Sequence, residues 1–474
     1  MWTEVLERFE QQAPASVMAR LTLEHALPAP WVDAVFEEHR ERQYPRELLF
    51  STVVDLVMLV SLGLRPSLRA AARQTEALPV SLAALYGKVN HTEPGILRAL
   101  VRGSFERLAP VAAAVGHAAC LPGWQLRVLD GNHLPASEKR LAPLRGNRGA
   151  ALPGHTLVVY DPDRGLVTDI APCEDAHRSE RAAATPLLDS AQPGQLWIAD
   201  RQFCTAAILL GMQAAGADFI IREHARHPRL TRRGAWRACG RVETGAVREQ
   251  TITAAGQERP WRRVELVLDT PTEAGERVIR LWSSLPGTVS ARQIAELYRR
   301  RWRIEGLFRR LESVLRSELR TLGHPRAALL GFAAAVLAYN VLALLLRCVE
   351  QAQQQQTGQE QADREQGQAD QKRAQQEPKP PPEVSAYHLA VQIRRGYEGL
   401  CIALPPEHWS SRGDAGPASL AKRLLQLARR IDPRQVATSK RGPKRDRSKG
   451  YVAAAIVRAH VATARVLAQA RATP

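Results

Sequence analysis

The sequence predicts an α/β protein: a mixed sheet with flanking helices, a β-rich insertion, and helical N- and C-terminal regions. Three observations carry that prediction. The apolar period changes near Trp124 from helical to strand-like. The segment "HTLVVYDPDRGLVTDIAPC" reads as two strands around a turn, and helices and strands then alternate. From about Ala225 to Leu285 only short alternating runs remain.

Residues 1–122 read as helical. "ELLFSTVVDLVMLVSLGL" is apolar on most faces, and "PSLRAAARQTEALPVSLAALYGKVN" is two helical pieces broken near Leu78–Pro79. Two short helices around a sharp turn fit a DNA-binding helix-turn-helix, and a small bundle has the same pattern. Residues 123–224 run strand "WQLRVLDG", the hairpin, helix "HRSERAAATPLLDSA", strand "GQLWIAD", helix "TAAILLGMQAAG" and strand "DFIIREH". Residues 225–285 form the insertion, with strands "REQTITAAG", "WRRVELVLDT" and "ERVIRLWSSLP".

Residues 286–347 return to helix, first the arginine-dense "LYRRRWRIEGLFRRLE" and then "AALLGFAAAVLAYNVLALLL". The second is long enough to span a bilayer. Its alanines, Tyr339 and Asn340 are equally those of a buried helix, and no membrane is expected. Residues 350–383 are a glutamine-rich linker too poor in apolar residues for a core. Residues 384–474 are helical, with a basic loop whose Lys440, Arg441, Lys444 and Arg445 suit phosphates. This region is expected to dimerise or to contact DNA.

Lys+Arg 66 against Asp+Glu 48 gives a net charge of +18, a balance that favours polyanionic partners and makes nucleic acid the first expectation. The six cysteines are scattered, with no C-x-x-C pair, which argues against a zinc site or disulfide framework and fits a reducing cytoplasm. The N-terminus, with early acids and no apolar run, does not read as a secretory leader.

Asp130 is expected to end the first strand and Asp200 the fourth, where functional groups gather on an open sheet. If those strands are neighbours, the two carboxylates repel unless a divalent cation joins them, and oxygen donors suit magnesium or manganese. Each aspartate alone also fits a turn or a helix cap. Asp161 and Asp163 read as turn residues, and His133 and His324 as structural histidines that could touch substrate. On a helical wheel at ~100° per residue, Tyr298, Arg301, Glu305, Arg309, Glu312 and Arg316 share one stripe beside the apolar face. An i,i+4 ladder, Glu305–Arg309 and Glu312–Arg316, explains the pairs. It leaves unexplained why Tyr298 and Arg301 join them.

The strand-borne "D-G", the later "ADR" and "LYRRRWRIEGLFRRLE" together resemble the DDE transposases of the insertion-sequence-four family, whose signature is Tyr-x2-Arg-x3-Glu-x6-Lys. Tyr298, Arg301 and Glu305 fill its first three places, and the likeness runs from about Leu126 to Asn340. The resemblance implies a ribonuclease-H-like core, with Asp130, Asp200 and Glu305 holding two magnesium (or manganese) ions for phosphoryl transfer. Tyr298, Arg301, Arg309 and Arg316 would contact DNA. A tryptophan of the insertion stacks on a flipped base in some members; Trp261 and Trp282 are the candidates here, although both read rather as packing residues. The family's lysine position holds Glu312. The implied function is cut-and-paste transposition of double-stranded DNA by a homodimer on paired inverted-repeat ends. The alternatives are a transposase-derived DNA-binding protein that is a catalytically weakened or inactive copy, with Glu312 in the lysine position as its support, a metal-dependent nuclease, and a basic membrane-associated protein.

Overall fold

A computed structural model describes residues 2–43, 47–74, 78–226, 228–257, 259–272, 274–317, 319–366, 383–406, 408–409, 416–438 and 460–472. The chain forms two compact units. One comprises Met1–His117, Ser137–Ala151 and Arg310–Val461; the other comprises Ala118–Ala136, Leu152–Arg309 and Ala462–Pro474.

The first unit opens with helices α1 (Trp2–Gln12), α2 (Pro14–Ala26), α3 (Ala29–His39), α4 (Phe50–Ser61), α5 (Leu68–Gln74), α6 (Leu82–His91) and α7 (Pro94–Val115). Proline in the first turn of α2, α3 and α7 stands where the missing N–H leaves no intrahelical bond unmade. α5 and α6 flank Leu78–Pro79, and α6 buries Leu85 and Val89.

The second unit is built on one ten-stranded sheet. Its strands are β1 (Gln125–His133), β2 (His155–Asp161), β3 (Leu166–Cys173), β4 (Gln195–Ala199), β5 (Asp218–Arg222), β6 (Leu230–Arg233), β7 (Arg237–Val242), β8 (Gly245–Ala254), β9 (Trp261–Leu268) and β10 (Val278–Ser283). The spatial order is β3-β2-β1-β4-β5-β10-β9-β8-β6, with β7 also paired to β8. β1, β4 and β5 are parallel neighbours, the arrangement the intervening helices require. The hairpin β2–β3 adds antiparallel to β1, and Asp161 holds its turn. That aspartate is fully buried and accepts from Arg127 at 3.0 Å, from Arg164 at 2.7 Å and from two turn N–H groups, as its reading as a turn residue anticipated.

The β-rich insertion is not a separate layer. β10 pairs with β5, so the insertion continues the same sheet. Trp261 and Trp282 lie in one apolar cluster with Trp197, Phe203 and Phe219. Both are almost fully buried, which makes them packing residues, in keeping with that reading of the sequence and against base stacking.

On the insertion side lies α11 (Ala291–Arg299), after the short helices α8 (Glu180–Ala183), α9 (Thr185–Leu188) and α10 (Ala206–Ala214). "SARQ" forms a capping box: Ser290 Oγ accepts from the Gln293 N–H, and the Gln293 side chain accepts from the Ser290 N–H at 2.9 Å. Fixing the first turn fixes the phase that buries Ile294, Ala295, Leu297 and Tyr298. A 3₁₀ turn, Arg300–Trp302, interrupts the helix before α12 (Arg303–Ser313).

The helical unit resumes with α13 (Pro325–Gln366), α14 (Ala386–Ala403) and α15 (Pro417–Ala428). α13 is the one helix among the described residues long and apolar enough to cross a membrane, and its apolar window is wholly buried. It packs against α2, α4, α6, α7 and α15, as a bundle core helix. Its helical path runs on through the start of the glutamine-rich stretch to Gln366.

Candidate active site

The site starts from a register. β1 and β4 run parallel, and their last pair is Leu129↔Ala199. The next residues, Asp130 and Asp200, therefore stand side by side on strands about 4.8 Å apart. The runs that lead into this pair, "LRVL" and "LWIA", are buried throughout, and the carboxylates come where that burial ends. Asp200 leaves β4 as the first residue of a short turn. Asp130 does not end its strand, as the sequence had suggested. β1 continues to His133 because β2 supplies antiparallel partners as far as His155.

Two donors from the arginine-dense segment reach these acids. Arg301 Nη1 donates to Asp130 Oδ2 at 2.9 Å, and the Tyr298 hydroxyl donates to Asp200 Oδ1 at 3.5 Å. Arg301 is only 8% exposed, an unusual place for a guanidinium, and its Nε has no partner. The 3₁₀ turn tightens the chain after α11, and Arg301 lies within that turn.

The turn also corrects the expectation of one continuous stripe. Residues 298–316 are not a single helix: α12 ends at Ser313, and Arg316 has φ 44°, a left-handed backbone beyond the helix end. Arg309, Glu312 and Arg316 are exposed. Glu305, in the first turn of α12, is half-buried and acts electrostatically on Arg301. Lys440, Arg441, Lys444 and Arg445 lie outside the described residues. His133 is exposed and stacks on His155 with ring centroids 5.4 Å apart, and His324 neighbours His91 in the helical unit.

Electrostatics tie the group together. Burial pushes the Asp130 carboxyl up to about 6; Arg301 and the Gly131 N–H pull it down, while Asp200 and Glu180 add to the rise. Burial likewise lifts the Tyr298 hydroxyl to about 12 against the pull of Arg301, with Asp200 contributing. Burial works against the charge of Arg301, and Tyr298, Asp130, Asp200 and Glu305 outweigh it, so its pKa is raised. Glu180 was missed in the sequence. Its carboxylate packs over Gly131, in space that any Cβ there would fill. The one available signal was a glycine directly after a candidate catalytic acid, a residue type that permits close approach.

Residues 125–341 match the family described as the transposase DDE domain. That span contains Asp130, Asp200, Tyr298, Arg301 and Glu305. The chain is also 28% identical over 262 residues to the putative transposase InsL for insertion sequence element IS186A of Escherichia coli strain K12, covering 47% of this chain and 65% of that protein. The transposase for insertion sequence element IS421 of Escherichia coli matches to the same extent. The chain thus covers just under two thirds of these relatives.

DDE transposases generally use divalent metals, and the side chains can be tested for that role. Asp130, Asp200 and Glu305 offer only oxygen donors, the preference of magnesium and manganese. The neighbouring aspartates repel, which contributes to the raised Asp130 carboxyl, and a divalent cation relieves such repulsion. The donor chemistry fits. In this structure Arg301 supplies the positive charge beside Asp130, and among the described residues no three His, Cys, Asp or Glu groups gather closely enough to hold a metal ion.

Proposed function

We propose that this protein is a DNA transposase that cleaves and joins DNA at the inverted repeats of an insertion sequence by cut-and-paste transposition. The observation that carries this reading is the acid pair, Asp130 beside Asp200, engaged by Arg301 and Tyr298 within the span that matches the DDE domain. A ribonuclease-H-like core is part of the proposal, supported by an antiparallel hairpin at one sheet edge and parallel strands bearing the acids. Homodimerisation on paired ends and a cytoplasmic location also belong to it.

Asp130, Asp200 and Glu305 would hold the divalent cations. When bound, these supply activation of the attacking oxygen and stabilisation of the leaving oxygen in an in-line displacement. Arg301 offers planar N–H donors suited to the non-bridging oxygens of a phosphodiester. Tyr298 adds a neutral donor, since its hydroxyl stays protonated at physiological pH. The buried flanks, Leu129 and Ala199 below the acids and Leu297 beside Tyr298, keep bulk water from that side of the site.

The test uses purified protein, magnesium and labelled duplexes carrying the inverted repeats that flank the gene. Asp130→Ala, Asp200→Ala and Glu305→Ala should each abolish cleavage. Wild-type cleavage by all three variants would sink the active-site assignment. Imperfect inverted repeats bounded by short direct repeats around the gene are the expected genomic context.

A further inference from the structure

Beside the acids, in the sheet unit, lies a cleft of about 530 Å³, walled by Arg201, Arg222, Arg233, Arg263 and Arg280 with Glu223 and Glu276. This volume is in the range of ligand sites, yet the lining is charged where such sites are mostly apolar. Two arginines are committed to structure. Arg263 is held by Glu223 through two hydrogen bonds of 2.8 Å, and Arg280 donates to Glu265 at 2.8 Å.

Two of the other three arginines are placed differently. Arg201 and Arg222 both turn to one carboxylate, Glu276, Arg201 at 3.5 Å and Arg222 in a closer ion pair. Two guanidiniums converging on one anion is the way proteins grip a phosphate. Arg201 directly follows Asp200, and Arg222 ends β5. Burial opposes the charge of Arg222, and Glu276, Tyr298 and Asp200 outweigh it and raise its pKa, so this arginine senses both the cleft and Asp200. Arg201 is 54% exposed and Glu276 32%, so an anion from solvent can reach the pair.

We propose that this cleft binds the DNA phosphodiester backbone next to the acids, and that Glu276 is an internal anion which a DNA phosphate displaces from Arg201 and Arg222. The proposal rests on the transposase reading only in taking DNA as the polyanion. Glu276 then acts as a brake: it lowers affinity for any phosphate chain and keeps the two arginines ordered until one arrives.

The experiment is fluorescence-anisotropy titration of the full chain with a labelled duplex in EDTA, across a salt series, so that no turnover enters the measurement. Glu276→Gln should tighten binding roughly three- to tenfold and steepen the slope of log K against log salt by about one. Adding Arg201→Ala or Arg233→Ala, both at exposed arginines, should reverse most of the gain. Glu243→Gln, which removes the same charge at an 81% exposed acid, should change affinity less than twofold if the effect belongs to the cleft. Unchanged or weaker binding by Glu276→Gln, or an equal gain from Glu243→Gln, overturns the proposal. So does a gain for inorganic phosphate without one for DNA, which would make the cleft a small-anion site. Loss of cleavage in the acid variants bears on the transposase reading alone, so the two failures can be told apart.

Discussion

Arg301 Nη1 donates to Asp130 Oδ2 at 2.9 Å, an ion pair that joins residues 171 positions apart and closes one end of the candidate active site. The arginine is 9% exposed in its side chain and the aspartate 23%, so solvent screens the pair only partly. Arg301→Ala should therefore do two things. Losing a donor aimed at the phosphate should reduce cleavage by roughly 100-fold or more. Losing the opposing charge should also let the Asp130 carboxyl rise above its value of about 6, since Arg301 now pulls it down. The pH–rate profile of the residual activity should shift to the alkaline side. Arg301→Lys restores charge without the planar fork and should recover the pH profile better than the rate. A pH profile unmoved by Arg301→Ala would contradict the coupling.

Asp130 also leaves a mark on stability. Its folded-state pKa of about 6 lies above the ordinary value of 3.8, so between those values the folded chain binds the proton more tightly than the unfolded chain. The sign follows: this group's contribution is favourable at low pH and is lost as pH rises through about 6. Asp130→Asn removes the titration. The stability difference between Asp130→Asn and wild type should shift in the variant's favour by roughly 2 kcal/mol from pH 4 to pH 7. Urea denaturation at a series of pH values reads this directly, and a pH-independent difference would show that Asp130 is not perturbed.

How much of this was legible in the sequence follows from the range of each interaction. The alternation of strands and helices, the hairpin around "DPDRG" and the burial of "AALLGFAAAVLAYNVLALLL" are local periodicities, and each stands in the structure as read. Pairing is non-local. That the insertion joins β5 through β10, and that β1 outlasts its parallel partner, depend on which strands meet, and no single strand encodes that. The wheel treated residues 298–316 as one helix because no proline or glycine pair marks the 3₁₀ turn at Arg300–Trp302. Tyr298 and Arg301 nevertheless reach the aspartates, since both precede the end of that turn. Arg316 was misplaced because its left-handed backbone lies past a helix end that the sequence does not signal with glycine.

Two glycines separate soft from hard crowding. A Cβ on Gly131 meets the Glu180 carboxylate, the far end of a flexible side chain. A Cβ on Gly154 meets the backbone carbonyl of Cys173 at 2.5 Å. Gly131→Ala should cost under about 1 kcal/mol, because Glu180 can swing aside, whereas Gly154→Ala should cost roughly 1–3 kcal/mol, because the strand itself has to move. Thermal denaturation ranks the two, and the reverse order would mean that Glu180 is pinned. Cleavage should respond the other way: Gly131→Ala alters the charge next to Asp130, and Gly154→Ala leaves it in place.

Glu312 is the acid the function does not explain. It is exposed near the end of α12, in the position where the resemblance expects a lysine. On a protein of net charge +18 that meets DNA phosphates, one acid on a contact face costs affinity through repulsion and through a lost counterion-releasing contact. Glu312→Lys changes the charge by two. If this face meets DNA, the substitution should tighten binding to the inverted-repeat duplex by about tenfold at low salt and raise cleavage with it. Because the side chain is exposed, stability should move by less than about 0.5 kcal/mol. Tighter binding with unchanged cleavage would assign Glu312 to a DNA contact away from the reacting phosphate. No change in either would take it off the interface and remove the weakened-copy reading, leaving the acids and Arg301 to account for activity.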